Sequence, residues 1–207
     1  MRRLGGSFRR ARRIAPKAPS PAHRARVEAA LTRLHRLEDA GRCQVWYGDE
    51  SGFCLQPVLP YLWQEKGKTL GLPAQAHSKR LNALGFLRRN GELVSVTTTE
   101  TVKAVHLIAA VETLIAQITL PSVLVLDNAS VHRSKFVQEK RKEWKQKGLR
   151  LLFLPPYSPH LNKIETLWRL MKYHWLSPCA YADFATLRKT VEELLAQVGK
   201  KHHISFA

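Results

Sequence analysis

Val123-Leu124-Val125-Leu126-Asp127-Asn128-Ala129-Ser130-Val131-His132 is the stretch whose reading decides the fold. Its four consecutive apolar residues follow the breaker Pro121 and end abruptly in a carboxylate and an amide. Such a run predicts a strand buried on both faces, the kind found at the centre of a parallel or mixed sheet. An acid at the carboxyl end of that strand stands where ligands and metals bind in open α/β sheets. Asp127 and Asn128 also suit a turn or the cap of the next helix, and taken alone the stretch favours that plainer reading.

Working outward toward the C-terminus, the pattern predicts a helix over 134–148, with Phe136, Val137 and Trp144 toward the core and Lys135, Lys140, Arg141, Lys142, Lys145 and Lys147 outward. That basic face suits a DNA backbone, and it suits solvent equally well. A second apolar strand follows over 149–154, then the rigid turn Pro155-Pro156-Tyr157-Ser158-Pro159. A helix over about 161–176 buries Ile164, Leu167, Trp168 and Met171, and another over 181–200 buries Phe184, Leu187, Val191, Leu194, Leu195 and Val198.

In the other direction, Val105, Ile108, Val111, Leu114, Ile115 and Ile118 mark a helix over 102–118. Two strands, 79–86 and 92–98, are joined by the hairpin turn Arg89-Asn90-Gly91. Residues 55–78 read as irregular surface. An early strand within 42–53 carries Val45-Trp46-Tyr47 through Gly48 into Asp49-Glu50, and because neighbouring side chains of a strand point to opposite faces, only one of the two acids can serve a common site. Ser20 and Pro21 start a helix over about 21–40, preceded by an Arg-rich arm. Together these elements predict an α/β fold, a mixed sheet flanked by helices with an N-terminal basic arm and helix. The division expected is 1–41 for the arm and helix and 42–207 for the sheet domain.

Lys and Arg total 34 against 16 Asp and Glu in 207 residues, a formal net charge of +18. An excess this large points to a polyanionic partner, most often nucleic acid. No apolar run approaches the ~18 residues of a membrane-spanning helix, and Met1-Arg2-Arg3 lacks the apolar core of a secretory signal. Cys43, Cys54 and Cys179 are far apart and fit reduced thiols, without a zinc-ribbon spacing. The location expected from the reduced thiols is the cytoplasm.

Three acids stand out by context. Asp49 is expected to end an early strand, Asp127 ends a central one, and Glu165 lies beside the buried stripe of the helix after the proline turn. A carboxylate beside an apolar face carries a desolvation penalty unless a cation offsets it. Carboxylates brought together repel, and hard divalent ions relieve that repulsion through oxygen ligands. Acid ligands in a very basic protein fit an enzyme acting on a nucleic-acid backbone, with Lys and Arg on phosphates and carboxylates on metal.

The blocks Gly48-Asp49-Glu50-Ser51-Gly52-Phe53, Leu126-Asp127-Asn128-Ala129-Ser130-Val131-His132, and Leu154-Pro155-Pro156-Tyr157-Ser158-Pro159 with Leu161-Asn162, Ile164-Glu165 and Trp168, resemble the DDE-type transposases of bacterial insertion sequences (insertion sequence 630 family, mariner-like superfamily). The 37 residues between Asp127 and Glu165 are close to that family's separation. The resemblance implies a ribonuclease-H-like catalytic domain in which Asp49, Asp127 and Glu165 are catalytic metal ligands for Mg²⁺, with Mn²⁺ able to substitute. It further implies double-stranded DNA as partner, both terminal inverted repeats and a short target, and a homodimer across paired ends. His160 stands where the family usually has an acid, and Lys163 where it usually has proline. The family also carries helix-turn-helix modules, of which only an Arg-rich tail is expected here.

Two other readings compete with a metal-dependent transposase: an inactive DNA-binding remnant, and a host nuclease of the same fold. His132 suits a DNA contact, a positioning role or a helix cap. Trp46, Trp144 and Trp168 read as core residues, while Trp63 and Trp175 suit base stacking or packing.

Overall fold

A computed structural model of the chain describes residues 20–58, 64–68, 71 and 79–206. Five strands form one mixed sheet in the order β3-β2-β1-β4-β5. They are β1 (Gln44–Cys54), β2 (Arg80–Leu87), β3 (Leu93–Thr98), β4 (Ser122–Leu126) and β5 (Leu149–Phe153). The first three make an antiparallel meander, and β4 and β5 add in parallel on the other edge of β1. The helices are α1 (Pro21–Asp39), α2 (Ala104–Ile115), α3 (Lys135–Gln146), α4 (Ile164–Leu170) and α5 (Phe184–Gln197). The mixed sheet flanked by helices is therefore the architecture expected from the sequence.

Strand periodicity divides the core in two. Val45, Tyr47 and Phe53 of β1, Leu81, Ala83 and Leu87 of β2, and Val125 of β4 face α1, α4 and α5. Trp46, Leu84, Phe86, Leu124 and Leu126 point the other way, toward α2 and α3. Each fully buried Leu, Val or Phe contributes roughly 1.5–3 kcal/mol relative to exposure, so a sheet apolar on both faces holds only with helices on both.

The register of β1 corrects one expectation. Asp49 does not end its strand: β1 continues to Cys54 alongside β2, and what ends near Asp49 is the pairing with β4, whose last partner is Tyr47. The acid thus sits where β1 loses one neighbour and keeps the other. At the turn between β2 and β3, Gly91 has φ +90, a conformation that residues with a Cβ avoid.

Helix phase supplies further corrections. In α2 the buried positions are Leu107, Ala110, Val111 and Leu114, while Val105 is 63% exposed at the helix start. In α3 Val137 and Trp144 face the core, but Phe136, one residue or 100° earlier on the helix wheel, is 66% exposed. The helix expected over 161–176 is broken into a 3₁₀ turn (Pro159–Leu161), the seven residues of α4 and a π turn (Met171–Trp175). The first break lies at Asn162, which is extended (φ −93, ψ 101) and donates its side-chain amide to the carbonyl of Gly48, 3.1 Å away.

Helix α1 begins as its sequence indicates, with Ser20 Oγ accepting from His23 N at 3.2 Å and Pro21 at the first position. It is fastened to the sheet by Val27 and Leu31 and by the carboxylate of Glu38, which accepts from Val45 N (3.0 Å) and Arg89 Nε (2.8 Å) and lies beside Arg88. Trp46, Trp144 and Trp168 are buried, and Trp175 stacks on His202 with ring centroids 4.6 Å apart. Most of the basic arm and Trp63 lie outside the described residues. Among the described residues no helix is long and apolar enough to cross a membrane.

Candidate active site

The alternation that divides the core also aims the acids. Asp49 shares the parity of Val45 and Tyr47, and Asp127 that of Val125, so both point to the face covered by α4. Glu50 has the opposite parity and is exposed. Of the two neighbouring acids, Asp49 is the one on the side of Glu165.

Asp127 is the first residue beyond β4, and the loops around it are tightly held. Leu154 N donates to Leu126 O at 2.8 Å, and Asn128 Nδ2 donates to Leu154 O at 2.8 Å, tying the ends of β4 and β5 together. The Asp127 carboxylate accepts from Ala129 N at 2.9 Å and from His132 Nδ1 at 2.6 Å, both at Oδ1. The plain reading of Asp127 as a turn former thus holds for one oxygen, while Oδ2 takes neither bond. The hydrogen bond from His132 keeps the Asp127 carboxyl below its usual pKa. Burial opposes a charge on His132, which is 3% exposed, but the Asp127 carboxylate outweighs it and holds the imidazole above its ordinary value. Sequence spacing alone left this partnership as one of several roles.

Glu165 is the second residue of α4 and is exposed. Two contacts set its place. The Asn162 bond to Gly48 joins the start of α4 to the residue before Asp49. At Gly85, which pairs with Asp49 across the sheet, a Cβ would lie 2.9 Å from Trp168 Cη2 and 3.0 Å from Ile164 Cδ1, so the bare backbone is what lets α4 come so close.

The electrostatics link the three acids. Burial, reinforced by the charges of Glu165 and Asp127, pushes the Asp49 carboxyl up to about 7. Glu165, though its side chain reaches solvent, is also raised, by partial desolvation first and then by Asp127, with Lys172 opposing. Lys172 in the π turn is lowered by burial and by Arg80, while Glu165 and Asp49 act to keep it charged. Its ammonium also sits 5.4 Å from the centre of the Phe53 ring. Lys172 was not among the residues singled out from sequence. Its seven-residue offset from Glu165, two helical turns on, is the signal that could have found it.

Among the described residues no group of three or more His, Cys, Asp or Glu side chains is gathered tightly enough to enclose an ion. The acids share a face and a field, with no single point of convergence. The donor set nonetheless fits a hard divalent cation: its groups are carboxylate oxygens, and the burial and neighbouring charges that raise Asp49 are what such a cation offsets.

A groove of about 520 Å³ runs past two of the acids, lined by Asp127, Arg133, Tyr157, Ser158, Pro159 and Glu165. On the other side of Glu165 a hollow of about 350 Å³ carries His160, Lys163 and Arg169. The surroundings of the acids are therefore cationic. By contrast, Lys140 of α3 and Lys147 at its C-terminal cap are engaged at home: both pair with Glu143, and Lys147 also with Glu112. That favours the solvated-face reading of this helix.

Comparison with known proteins gives the following likenesses. The family model described as DDE superfamily endonuclease matches residues 44–188. The insertion element IS630 uncharacterized 39 kDa protein of Shigella sonnei is 26% identical over 145 residues, 68% of this chain and 42% of that protein. The uncharacterized protein y4pE/y4sA of Sinorhizobium fredii (strain NBRC 101917 / NGR234) is 40% identical over 63 residues, 30% of this chain and 42% of that protein. The chain thus matches about two-fifths of the length of each relative. Among solved structures, the mariner Mos1 paired end complex with Mg superposes with a TM-score of 0.62 at 18% identity, covering 94% of this chain and 60% of that one. The shared architecture is the ribonuclease-H-like fold of transposase catalytic domains.

Proposed function

We propose a function from one premise: the chain belongs to the DDE superfamily endonuclease family. In this reading it is the catalytic domain of a DNA transposase, cleaving DNA at the ends of a mobile element and joining it to a target. Asp49, Asp127 and Glu165 hold divalent metal, Mg²⁺ by preference with Mn²⁺ as substitute. The observation that carries the reading is the shared parity of Asp49 and Asp127 on the face of α4, where burial, reinforced by the charges of Glu165 and Asp127, lifts Asp49 to about 7.

Bound there, divalent ions supply Lewis-acid activation of a water or 3′-hydroxyl and charge stabilisation of the leaving oxygen. The chain's own residues do the rest. His132 and Ala129 N occupy Oδ1 of Asp127, and Oδ2 takes neither bond. The side-chain tie from Asn162 to the Gly48 carbonyl and the close approach at Gly85 hold the helix of Glu165 against the strand of Asp49. Lys172, held among Glu165, Asp49 and Phe53, and Arg133, exposed at the groove, bring positive charge to the phosphates flanking the reacting one. The net charge of +18 supports a duplex DNA partner, held in a salt-dependent way. We extend the proposal to pairing of two chains across two DNA ends, and to action on DNA at the bacterial nucleoid.

The test is nicking of supercoiled plasmid in Mg²⁺ or Mn²⁺, with Asp49→Asn, Asp127→Asn and Glu165→Gln as variants. Metal-dependent nicking lost in all three supports the assignment. Nicking that survives Asp127→Asn refutes it, and plasmid binding without any metal-dependent cleavage returns the chain to a DNA-binding remnant.

A further inference from the structure

The hollow on the far side of Glu165 is walled by α4 and by the C-terminal segment. Ile204 and Phe206 pack against the core that α4 also joins, and the ammonium of Lys163 lies 5.8 Å from the centre of the Phe206 ring. His160, Thr166 and Arg169 complete the positive side of this cavity of about 350 Å³. His160 and Arg169 are exposed, and neither side chain makes a hydrogen bond or ion pair with a described residue. Glu165 is the one acid on the wall, so the ammonium and the guanidinium outnumber it. An imidazole, an ammonium, a guanidinium and a hydroxyl around one concavity are the donor set that a phosphate group takes.

Position tells which phosphate. Glu165 borders both this hollow and the groove that holds Asp127 and Arg133. Lys163 precedes Glu165 by two residues, so their Cα atoms are at most about 7 Å apart, the span of about two nucleotides of one strand. A strand whose reacting phosphate lies at the acids therefore meets Arg133 on one side and the hollow on the other. A second observation points the same way. His160 and Lys163 are the two positions at which the chain departs from the family's pattern, with an imidazole in place of an acid and an ammonium in place of proline. Both departures fall in this one hollow, and both make it more attractive to an anion.

We propose that the hollow seats a backbone phosphate of the DNA strand engaged at the acids, about two nucleotides from the reacting one and opposite Arg133. The inference rests on the transposase reading and adds to it a phosphate site formed by His160, Lys163 and Arg169. Such a site fixes the position of the strand without reading its sequence.

The first test is binding of a labelled duplex by anisotropy, without metal, across a range of salt. Lys163→Gln and Arg169→Gln are each expected to reduce the slope of log affinity against log salt by about 0.9, and together by about 1.8. The gap between the double variant and wild type then shrinks about ten-fold from roughly 50 to 200 mM salt. Lys163→Arg is expected to keep the wild-type slope, as is Lys142→Gln on the exposed face of α3. His160→Asp with Lys163→Pro, which restores the family's pattern, is expected to bind weakly while melting like wild type, because Asn162 already has the extended backbone that a residue before proline adopts. A wild-type slope in the double variant, or an equal loss in Lys142→Gln, overturns the proposal. The second test joins Lys163→Cys by a disulfide to a duplex bearing a thiol on one phosphate, with attachment at position 163 verified by peptide mass, and then adds Mg²⁺. Cutting is expected about two to three nucleotides from the tether, and cuts no nearer to it than those made by Lys142→Cys overturn the proposal. Cutting that survives an added Asp127→Asn defeats the transposase reading, whereas the salt slopes need no cutting and judge the hollow by themselves.

Discussion

Alanine at position 85 would place a methyl group 2.9 Å from Trp168 Cη2 and 3.0 Å from Ile164 Cδ1. Carbon atoms sit comfortably at about 3.5–4.0 Å, so α4 must withdraw by roughly half an ångström or more, or Trp168 must leave its rotamer. Overpacking of this size costs about 1–3 kcal/mol, which lowers the melting temperature of a domain this long by roughly 2–12 °C. The functional effect should be larger than the thermal one. Gly85 pairs with Asp49 and touches the helix that carries Glu165, so the same withdrawal moves one proposed ligand away from another. A displacement near 1 Å at a reacting centre can lower the rate by about a hundred-fold. Thermal unfolding and plasmid nicking of Gly85→Ala measure the two effects. Trp168→Phe in the same chain removes the Cη2 edge, and since the indole N–H is buried without a partner among the described residues, no hydrogen bond to them is lost with it. The double variant should regain part of both stability and nicking. If Gly85→Ala melts and nicks like wild type, or the second substitution restores nothing, the close approach does not position Glu165.

Three further outcomes follow from contacts already described. Glu38→Gln removes one of two carboxylates beside each arginine, leaving Arg88 with Glu92 and Arg89 with Asp39, and should cost about 1–3 kcal/mol in urea unfolding, with loss of protection at the α1–β1 junction by hydrogen exchange. Asn162→Ala deprives the Gly48 carbonyl of its side-chain donor and should cost about 1–3 kcal/mol, with a fall in nicking larger than the loss of folded protein explains. His35, bonded to the Tyr47 hydroxyl at 2.5 Å, is held below its ordinary 6.5 by burial and then by Arg89. A depressed folded pKa means that its stabilising contribution is present above 6.5 and is lost as pH falls through the folded value, so the melting temperature of wild type should drop more between pH 7.5 and 5 than that of His35→Asn. Parallel pH profiles for the two proteins would show that His35 does not carry this dependence.

Much of this arrangement was legible in the sequence where one periodicity dominates. The run before Asp127 could only be a doubly buried strand, and the alternation in β1 already required a choice between Asp49 and Glu50. What decided that choice was register, which depends on partners far along the chain. Helix phase was less legible: Val105 and Phe136 are apolar and correctly spaced from other apolar residues, yet each lies one step off the buried stripe. Contacts without any period were invisible. Asn162 reaches Gly48 across 114 residues, and His132 meets Asp127 through an irregular turn, where spacing predicts no shared face. Context singled out Asp49, Asp127 and Glu165, and the resemblance to DDE-type transposases supplied what periodicity did not, the expectation that they act together as metal ligands.

Strand β1 has a consequence for how this protein comes into being. During synthesis β2 and β3 follow β1 and can fold back on it at once, but its other edge must wait for β4, since Gln44 pairs with Ser122. Until then Val45, Trp46 and Tyr47 border an open strand edge, a natural template for pairing with a second nascent chain. Slow or stalled translation in this interval should therefore favour aggregation over folding. The same delay has a protective side. The proposed cutting centre draws on β1, on the end of β4 and on α4, so it cannot exist on a half-made chain, and a ribosome working close to DNA carries no active endonuclease until Glu165 has emerged.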